Sequence, residues 1–225
     1  MRTTVRAFLF TISLTAVVAV ADHHQSGDRS SDTAEGFTAI FDGQSLDGWK
    51  VAEENQDGFK VEDGSIVVTG ERSHLYYDGE LAPMKNFHFI GEVKLEPNAN
   101  SGIYFHTRYQ PTGWPKYGYE CQVNVSHGDP KKTGSVYAVV NVDRKLLDLI
   151  GVKDNEWYTQ EIIVKGKNIV SKVNGVTVVD YTEPPNKPAY DGSFERRLDE
   201  GTIALQAHDP GSVARYRNLR VKPLD

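Results

Sequence analysis

The stretch Gly118-Tyr119-Glu120-Cys121-Gln122-Val123-Asn124 carries the pattern that decides the fold. Successive side chains of a β-strand point to opposite faces, so Tyr119, Cys121 and Val123 share one face of this stretch. The other face carries one carboxylate and two amides, from Glu120, Gln122 and Asn124. A merely solvated strand face usually carries Lys, Thr and Glu, whereas this row of donors and acceptors suits a sugar ligand. We therefore predict a strand with one buried face and one ligand-binding face.

Two other segments alternate in the same way, one over residues 101–108 and one over residues 201–208. Each places aliphatic or aromatic residues on one face and polar or ring-bearing residues on the other. If the three strands belong to one sheet, a single surface collects Tyr104, His106, Arg108, Glu120, Gln122, Asn124, Gln206 and His208. The alternation therefore predicts a polar cleft on one face of a sheet.

Short alternating runs separated by Gly, Asn, Asp and Pro recur through residues 36–225, and no stretch of a dozen residues has a helical period. Asp63-Gly64 and Asn174-Gly175 lie between apolar runs and predict two-residue hairpin turns. Residues 87–95 and 135–140 are among the predicted strands. So many strands in one domain predict an all-β jelly-roll sandwich of two antiparallel sheets.

The first residues have the pattern of an export signal. Arg2 and Arg6 precede an apolar run, and Ala19-Val20-Ala21 suits a processing site. We expect a signal peptide over residues 1–21, a flexible polar linker over 22–35 and a single domain over 36–225. The apolar run is shorter than the ~20 residues that span a bilayer. The mature protein is therefore expected to be periplasmic or secreted, without membrane association.

Composition narrows the partners and cofactors. Cys121 is the only cysteine, so neither an intramolecular disulfide nor a cysteine-based zinc site is expected. A net charge of -6 disfavours nucleic acid, whose phosphates require basic clusters. No cofactor is expected, apart from a structural Ca²⁺ that oxygen-rich loops at Asp129 and Asp209 would suit.

An ordered set of motifs resembles a known family. The motifs are Gly36-Phe37-Thr38-Ala39-Ile40-Phe41-Asp42-Gly43, Leu46-Asp47-Gly48-Trp49, Asn100-Ser101-Gly102-Ile103-Tyr104-Phe105, Tyr119-Glu120-Cys121-Gln122-Val123, Asn155-Glu156-Trp157, Val173-Asn174-Gly175 and Gly201-Thr202-Ile203-Ala204-Leu205-Gln206. Their order and spacing resemble the 3-keto-disaccharide hydrolase family over essentially all of residues 36–225. The resemblance implies a concanavalin A-like jelly roll and an exported bacterial enzyme acting on glycosides already oxidised at C3.

A C3 ketone acidifies the proton on C2, so one base, one oxyanion donor and one acid suffice for elimination at C1, followed by hydration. We expect His106 or His208 as the base, Arg108 as the cation at the ketone oxygen, and Glu120 as the acid or as the orienter of a histidine. The expected substrate contacts come from Tyr104, Trp114, Gln122, Asn124 and Gln206. A bulge between Tyr104 and Arg108 would change this set. The chain has no Gly-rich dinucleotide motif, so a separate 3-dehydrogenase would supply the substrate.

Two alternatives remain open. A noncatalytic carbohydrate-binding module of the same fold would need only aromatic platforms and amides. A conventional retaining glycosidase needs two carboxylates about 5 to 5.5 Å apart, and the decisive strand carries only Glu120. Its second carboxylate would have to come from Asp129, Asp191 or Asp209.

Overall fold

The computed structural model describes residues 36–225, so the expected signal peptide and linker lie outside the described residues. The regular secondary structure of these residues is almost entirely antiparallel strand. The strands are β1 (Thr38–Ala39), β2 (Trp49–Val51), β3 (Phe59–Glu62), β4 (Ser65–Thr69), β5 (Ser73–Tyr77), β6 (Phe87–Leu95), β7 (Asn100–Thr107), β8 (Tyr119–Asn124), β9 (Tyr158–Lys165), β10 (Asn168–Val173), β11 (Val176–Thr182), β12 (Thr202–Ala207) and β13 (Val213–Pro223). A short helix α1 (Arg144–Leu149) and a 3-10 turn (Gln56–Gly58) complete the elements.

The strands form two sheets. The larger has the order β11-β10-β9-β6-β13-β4-β3, with β1 added beside β13, and the smaller has the order β2-β5-β12-β7-β8. Apolar side chains from both sheets form one core cluster, including Phe89 and Val93 of β6 and Ile103 and Leu205 of the smaller sheet. Burying each such side chain contributes about 1.5–3 kcal/mol. The predicted sandwich of two antiparallel sheets is confirmed.

The hairpin turns form where the sequence predicts them. Asp63 and Gly64 both have positive φ angles and connect β3 to β4, whose register pairs Glu62 with Ser65. The Asn174-Gly175 turn likewise connects β10 to β11 with positive φ at both positions. Asparagine, aspartate and glycine tolerate this backbone conformation best, which is why the dipeptides are informative.

The three strands with matching alternation lie side by side, as predicted. β12 pairs with β7, and β7 pairs with β8, in the centre and at one edge of the smaller sheet. Tyr104 lies directly opposite Glu120 in this register. Since Ile103 and Cys121 point into the core, the polar residues of the same strands point away from the larger sheet. The outer face of the smaller sheet therefore carries the candidate site.

Two local predictions are wrong. Residues 135–140 do not form a strand, because Ala138 has a φ of 60° and the segment makes only isolated bridges, from Val136 to Cys121 and to Val140. Helix α1 was not expected, because its six residues are too few to show a helical period. It begins after Asp143, whose carboxylate accepts a hydrogen bond from the Lys145 amide. Among the described residues, no helix is long and apolar enough to cross a membrane.

Candidate functional site

The outer face of the smaller sheet forms the floor of a pocket of about 340 Å³. The strands β7, β8 and β12 supply its polar floor, and three loops supply its walls. We call this cavity the polar pocket; it is lined by Asn100, Tyr104, Trp114, Glu120, Gln122, Asp129, Tyr137, Phe194, Arg196, Gln206 and His208. Six of the nine residues predicted for the site therefore line one cavity: Tyr104, Trp114, Glu120, Gln122, Gln206 and His208.

Glu120 is a buried carboxylate at the floor of the polar pocket. Its Oε2 accepts a hydrogen bond from the Tyr104 hydroxyl at 3.1 Å, and its Oε1 accepts one from Gln206 Nε2 at 3.1 Å. Burial raises the pKa of Glu120 to about 7, although both hydrogen bonds and the charge of Arg196 oppose the rise. A carboxyl group with such a pKa is partly protonated at neutral pH, as a general acid must be.

Gly102 leaves room for the Glu120 carboxylate. A Cβ atom at position 102 would lie 2.3 Å from Glu120 Oε1, which is far inside van der Waals contact. The strand therefore requires glycine here because of the side chain beside it and not because of a turn. Gly102 and Tyr104 lie on the same face of β7, where one leaves space for the Glu120 carboxylate and the other donates a hydrogen bond to it.

His208 and Asp209 form a hydrogen-bonded pair at the rim of the polar pocket. His208 Nδ1 lies 2.7 Å from Asp209 Oδ2, while Asn100 Nδ2 lies 3.2 Å from His208 Nε2. Asp209 is itself held by the Ser212 hydroxyl at 2.8 Å and the Gly211 amide at 2.9 Å. A carboxylate at Nδ1 favours the tautomer with the proton on Nδ1, so Nε2 is an acceptor and receives the Asn100 amide.

Two glutamines on the pocket floor have fixed amide groups. Gln122 Nε2 donates to Asn100 Oδ1 at 2.8 Å, and Gln206 Nε2 donates both to Tyr104 at 3.2 Å and to Glu120. Both side chains are almost completely buried, at 1% and 2% exposure, yet their Oε1 atoms have no hydrogen-bond partner within the described chain. These two oxygens are therefore available as acceptors for a ligand.

Trp114 lies on the loop between β7 and β8 and forms one wall of the polar pocket. Its ring contacts His208 with centroids 5.4 Å apart and His74 with centroids 5.7 Å apart. Gln110 Nε2 donates to the Trp114 carbonyl at 3.0 Å, and Glu54 accepts from the Gly113 amide at 2.9 Å. The tryptophan is therefore held by packing and by loop hydrogen bonds, with its ring beside the polar floor.

His74 is a buried, neutral group that packs behind Trp114 and Tyr104 without lining the polar pocket. Neither of its ring nitrogens has a hydrogen-bond partner within the described chain, and burial lowers its pKa to about 3. Its ring makes an edge contact with Tyr104, with centroids 5.3 Å apart. Sequence reasoning missed His74, although it alternates with Leu75 on β5, which pairs with β12.

The segment between β11 and β12 brings Arg196 and Phe194 to the polar pocket. Sequence reasoning missed both, because a long loop has no alternation from which to infer the direction of a side chain. The Arg196 guanidinium lies over the rings of Tyr137 and Phe194, each 5.1 Å from the centroid. Its Nη1 donates to the Tyr137 carbonyl at 3.2 Å. Arg196 is thus the positively charged side chain among the residues that line the polar pocket.

The structure places His106 and Arg108 outside the polar pocket, so their predicted position beside Glu120 is wrong. Tyr104 pairs with Ala204 but Thr107 pairs with Thr202, so β7 has one extra residue, and His106 has a φ of 55°. This bulge reverses the alternation.

The side chains of His106 and Arg108 both make structural contacts outside the polar pocket. His106 Nε2 lies 2.9 Å from the Lys85 carbonyl, and its Nδ1 accepts from the Asp199 amide at 3.3 Å. Burial lowers the pKa of His106 to about 4. Arg108 pairs with Asp199 and lies over the Tyr117 ring, 4.7 Å from its centroid.

Asn124 has the predicted orientation but does not line the polar pocket, so its expected contact with a substrate is also corrected. Its Nδ2 donates to the carbonyls of Asp129 at 3.0 Å and Lys131 at 2.8 Å. Its side chain is buried, and its backbone amide donates to the Thr133 hydroxyl at 2.9 Å. Asn124 therefore holds the loop that follows β8.

The three aspartates considered as a second carboxylate have different positions. Asp129 lines the polar pocket and its Oδ2 accepts from the Tyr137 hydroxyl at 3.4 Å. Asp209 is paired with His208, whereas Asp191 accepts hydrogen bonds from the Ser193 and Phe194 amides of its own turn. Within residues 36–225, no group of three or more His, Cys, Asp or Glu side chains is placed to hold a metal ion.

Known proteins share this architecture. A 3-keto-disaccharide hydrolase of Bacteroides thetaiotaomicron is 25% identical in an alignment that covers 85% of this chain and 80% of the relative. A crystal structure of a candidate glycosyl hydrolase from Parabacteroides distasonis superposes with a TM-score of 0.70 at 22% identity, covering 87% of this chain and 97% of that one. The carbohydrate-binding module CBM66 of Bacillus subtilis superposes with a TM-score of 0.50 at 13% identity, covering 83% and 95% of the two chains.

The fold and the site together define a concanavalin A-like β-sandwich with a sugar-sized polar pocket on the outer face of its smaller sheet. Residues 36–222 match the family described as the 3-keto-alpha-glucoside-1,2-lyase-like domain. The chain belongs to this family. The family and the hydrolase relative support an enzyme that acts on sugars.

Proposed function

We propose that this protein cleaves 3-keto-glycosides by removing the C2 proton, eliminating the C1 substituent and hydrating the resulting 3-keto-2-hydroxy-glycal. One observation carries the proposal: a buried acid and an oriented base line the same pocket. Glu120 has a pKa of about 7, and the His208–Asp209 pair presents Nε2 as an acceptor. Family membership and the Bacteroides relative support the substrate class.

In the first half-reaction, the substrate C2–H replaces the Asn100 amide at His208 Nε2. Nε2 takes the proton from C2, and the electrons of that bond pass towards the C3 oxygen as an enolate. They return to form the C1–C2 double bond as the bond from C1 to the leaving oxygen breaks. Glu120 gives its proton to the departing oxygen. A positioned acid or base contributes roughly 10²- to 10⁴-fold to such a step.

In the second half-reaction, water adds its hydroxyl to C1 and the C2 carbon regains a proton. The Glu120 carboxylate left by the first step takes a proton from this water, and the His208 imidazolium returns one to C2. Both groups are then restored, so the net reaction is hydrolysis without a redox cofactor. The pocket surroundings suit this exchange, because burial raises the pKa of the Glu120 carboxyl to about 7, so that it accepts and releases a proton near neutral pH.

Asp209 and the apolar wall support the two reacting groups in this scheme. Asp209 stabilises the imidazolium that forms on His208, since the two atoms are 2.7 Å apart. Trp114 packs against the same ring and restricts its rotation.

We further propose that the protein is exported to the periplasm or beyond, and that a separate 3-dehydrogenase produces its substrate.

The test compares a 3-keto-glucoside with its unoxidised parent, following release of the leaving group and the ultraviolet absorbance of the enone. Release from the keto substrate alone, with transient enone, is the expected result. His208→Asn should lower the turnover number by about 10²- to 10⁴-fold. His88→Gln is the matched control, because His88 bonds to Glu161 on the larger sheet, and it should retain turnover. Equal loss in both variants would refute the assignment of His208.

A conventional glycosidase is the second candidate, and the position of Asp129 in the same pocket as Glu120 favours it. Asp129 also contributes to the raised pKa of Glu120, so the two carboxylates interact electrostatically. Equal release from the keto substrate and from the parent would establish this candidate. Saturable binding of both sugars without release would indicate a carbohydrate-binding module.

A further inference from the structure

Three polar atoms on residues that line the polar pocket lack a hydrogen-bond partner within the described chain. They are Gln122 Oε1, Gln206 Oε1 and Arg196 Nε, and all three are shielded from solvent. Buried polar groups are almost always hydrogen-bonded, so three exceptions around one cavity indicate groups that a ligand satisfies. Two of these atoms accept hydrogen bonds and one donates.

The orientation of the two glutamines makes their oxygens the free atoms. Gln122 Nε2 donates to Asn100 at 2.8 Å, and Gln206 Nε2 donates to Glu120 at 3.1 Å. Reversing either amide would place an oxygen against another acceptor, Asn100 Oδ1 in one case and the Glu120 carboxylate in the other. A ligand therefore has to donate hydrogen bonds at two points of the pocket floor, as two sugar hydroxyls do.

Arg196 requires the opposite kind of group. Arginine has only donors, so the ligand has to present an acceptor to its Nε. The residue is also held in an unfavourable backbone conformation, with a φ of 44°, and Lys187 binds its carbonyl oxygen. Non-glycine residues in this region are enriched at ligand-binding sites, where surrounding contacts maintain the strain.

The aromatic contacts of Arg196 hold its guanidinium against rings that line the pocket. Tyr137 and Phe194 both lie against the guanidinium, and both line the same cavity. The charge acts on the site, because it favours the ionised form of Glu120 and opposes the rise in its pKa. Because the charge of Arg196 acts on Glu120, it also acts on a substrate that Glu120 protonates.

We propose that Arg196 binds the C3 carbonyl oxygen, while Gln122 and Gln206 bind hydroxyls on the same ring, and that these three residues determine the preference for an oxidised sugar. The inference rests on the proposed function and assigns the group that recognises its substrate. A ring with one carbonyl between two hydroxyls offers one acceptor and two donors, which matches the three unpartnered atoms. When the C2 proton leaves, the carbonyl oxygen becomes an enolate oxygen, and the arginine then stabilises a full negative charge.

The experiment measures binding rather than turnover, so that it is independent of the chemical step. The ligands are a 3-keto C-glycoside, which has no leaving oxygen at C1, and the matching 3-hydroxy C-glycoside. Calorimetry gives the ratio of their dissociation constants for the wild-type protein, for Arg196→Gln and for Arg197→Gln. Arg197 is the matched control, because it lies in the same segment, pairs with Glu195 and does not line the polar pocket.

The wild-type protein should prefer the keto ligand. Arg196→Gln should weaken keto binding by about 10- to 100-fold, the range for a lost hydrogen bond to a charged group, with less than about threefold change for the 3-hydroxy ligand. Arg197→Gln should keep the wild-type ratio. Arg196→Lys, which keeps the charge but lacks the planar donor, provides the second variant if the glutamine variant does not fold; it should lose part of the preference.

Deoxy ligands test the two glutamines. Removing the hydroxyl at C2 or at C4 of the keto ligand should weaken binding to the wild-type protein by about tenfold. Gln206→Met should bind weakly and should no longer distinguish one of the two deoxy ligands from the parent keto ligand. Equal discrimination by the variant and the wild type would overturn the role of Gln206.

The outcomes separate this inference from the proposed function. Retention of the keto preference by Arg196→Gln, or an equal loss for both ligands, overturns the inference even if the wild-type protein cleaves 3-keto-glycosides. An Arg196-dependent preference supports the inference even if the wild-type protein cleaves neither substrate, in which case the elimination chemistry fails. No keto preference in the wild-type protein also overturns the inference.

Discussion

The replacement Glu120→Gln tests the electrostatics of the site through the stability of the fold. The side chain of glutamine has the shape of the protonated acid and keeps an oxygen for Gln206 and a polar atom for Tyr104. What it removes is the ability to ionise. Burial raises the pKa of Glu120 from 4.5 to about 7, so the folded protein keeps this proton over a range in which the unfolded chain has released it.

The sign follows from proton binding. Between pH 4.5 and 7 the unfolded state binds fewer protons than the folded state, so the wild-type protein loses stability as the pH rises through this window. The pKa difference is about 2.5, and each pKa unit corresponds to about 1.36 kcal/mol. Relative to the wild type, Glu120→Gln should therefore gain about 3 kcal/mol between pH 4 and pH 8.

The assay is urea unfolding followed by tryptophan fluorescence at pH 4, 5, 6, 7 and 8. The control is Glu161→Gln on the larger sheet, where a hydrogen bond from His88 at 2.8 Å lowers the pKa of the carboxyl. A lowered pKa contributes stability that is fully present above the unfolded value of 4.5 and is lost only below it, so the difference between this variant and the wild type should stay constant from pH 5 to pH 8. A stability difference for Glu120→Gln that also stays constant over this range would refute the reasoning.

Three further predictions concern the supports of the site. Gly102→Ala should lower turnover by at least about tenfold with a retained fold, because the new methyl group displaces the Glu120 carboxylate; kinetics together with circular dichroism would show this. Asp209→Asn should lower the turnover number more than it changes KM, since the amide no longer stabilises a positive charge on His208 but leaves the ring in place. An unchanged pH–rate profile would contradict this prediction. His106→Gln should lower the melting temperature but leave turnover per folded molecule within about threefold, because the His106 ring makes its hydrogen bonds outside the polar pocket. A larger loss of turnover would show that His106 takes part in the reaction.

The alternation of three strands was sufficient to predict most of the polar floor. Tyr104, Glu120, Gln122 and Gln206 all lie where their position relative to buried neighbours indicated, because a β-strand repeats every two residues and the core fixes which face is inside. The same rule failed at His106, where one extra residue in β7 reverses the alternation. A bulge has no distinctive sequence pattern here, since His106 is neither glycine nor next to one.

The amino-acid sequence by itself determined the two-sheet sandwich, its hairpin turns and the strand that carries the acid, because these depend on local alternation and on turn residues. Tertiary structure decided which groups meet. Asn100 of β7 bonds to His208 after β12, Gly102 accommodates Glu120 from the neighbouring strand, and Arg196 reaches the polar pocket from a segment without regular structure. Such contacts join residues far apart in the chain, so they depend on how the sheets and loops pack in three dimensions and not on any local pattern of residues.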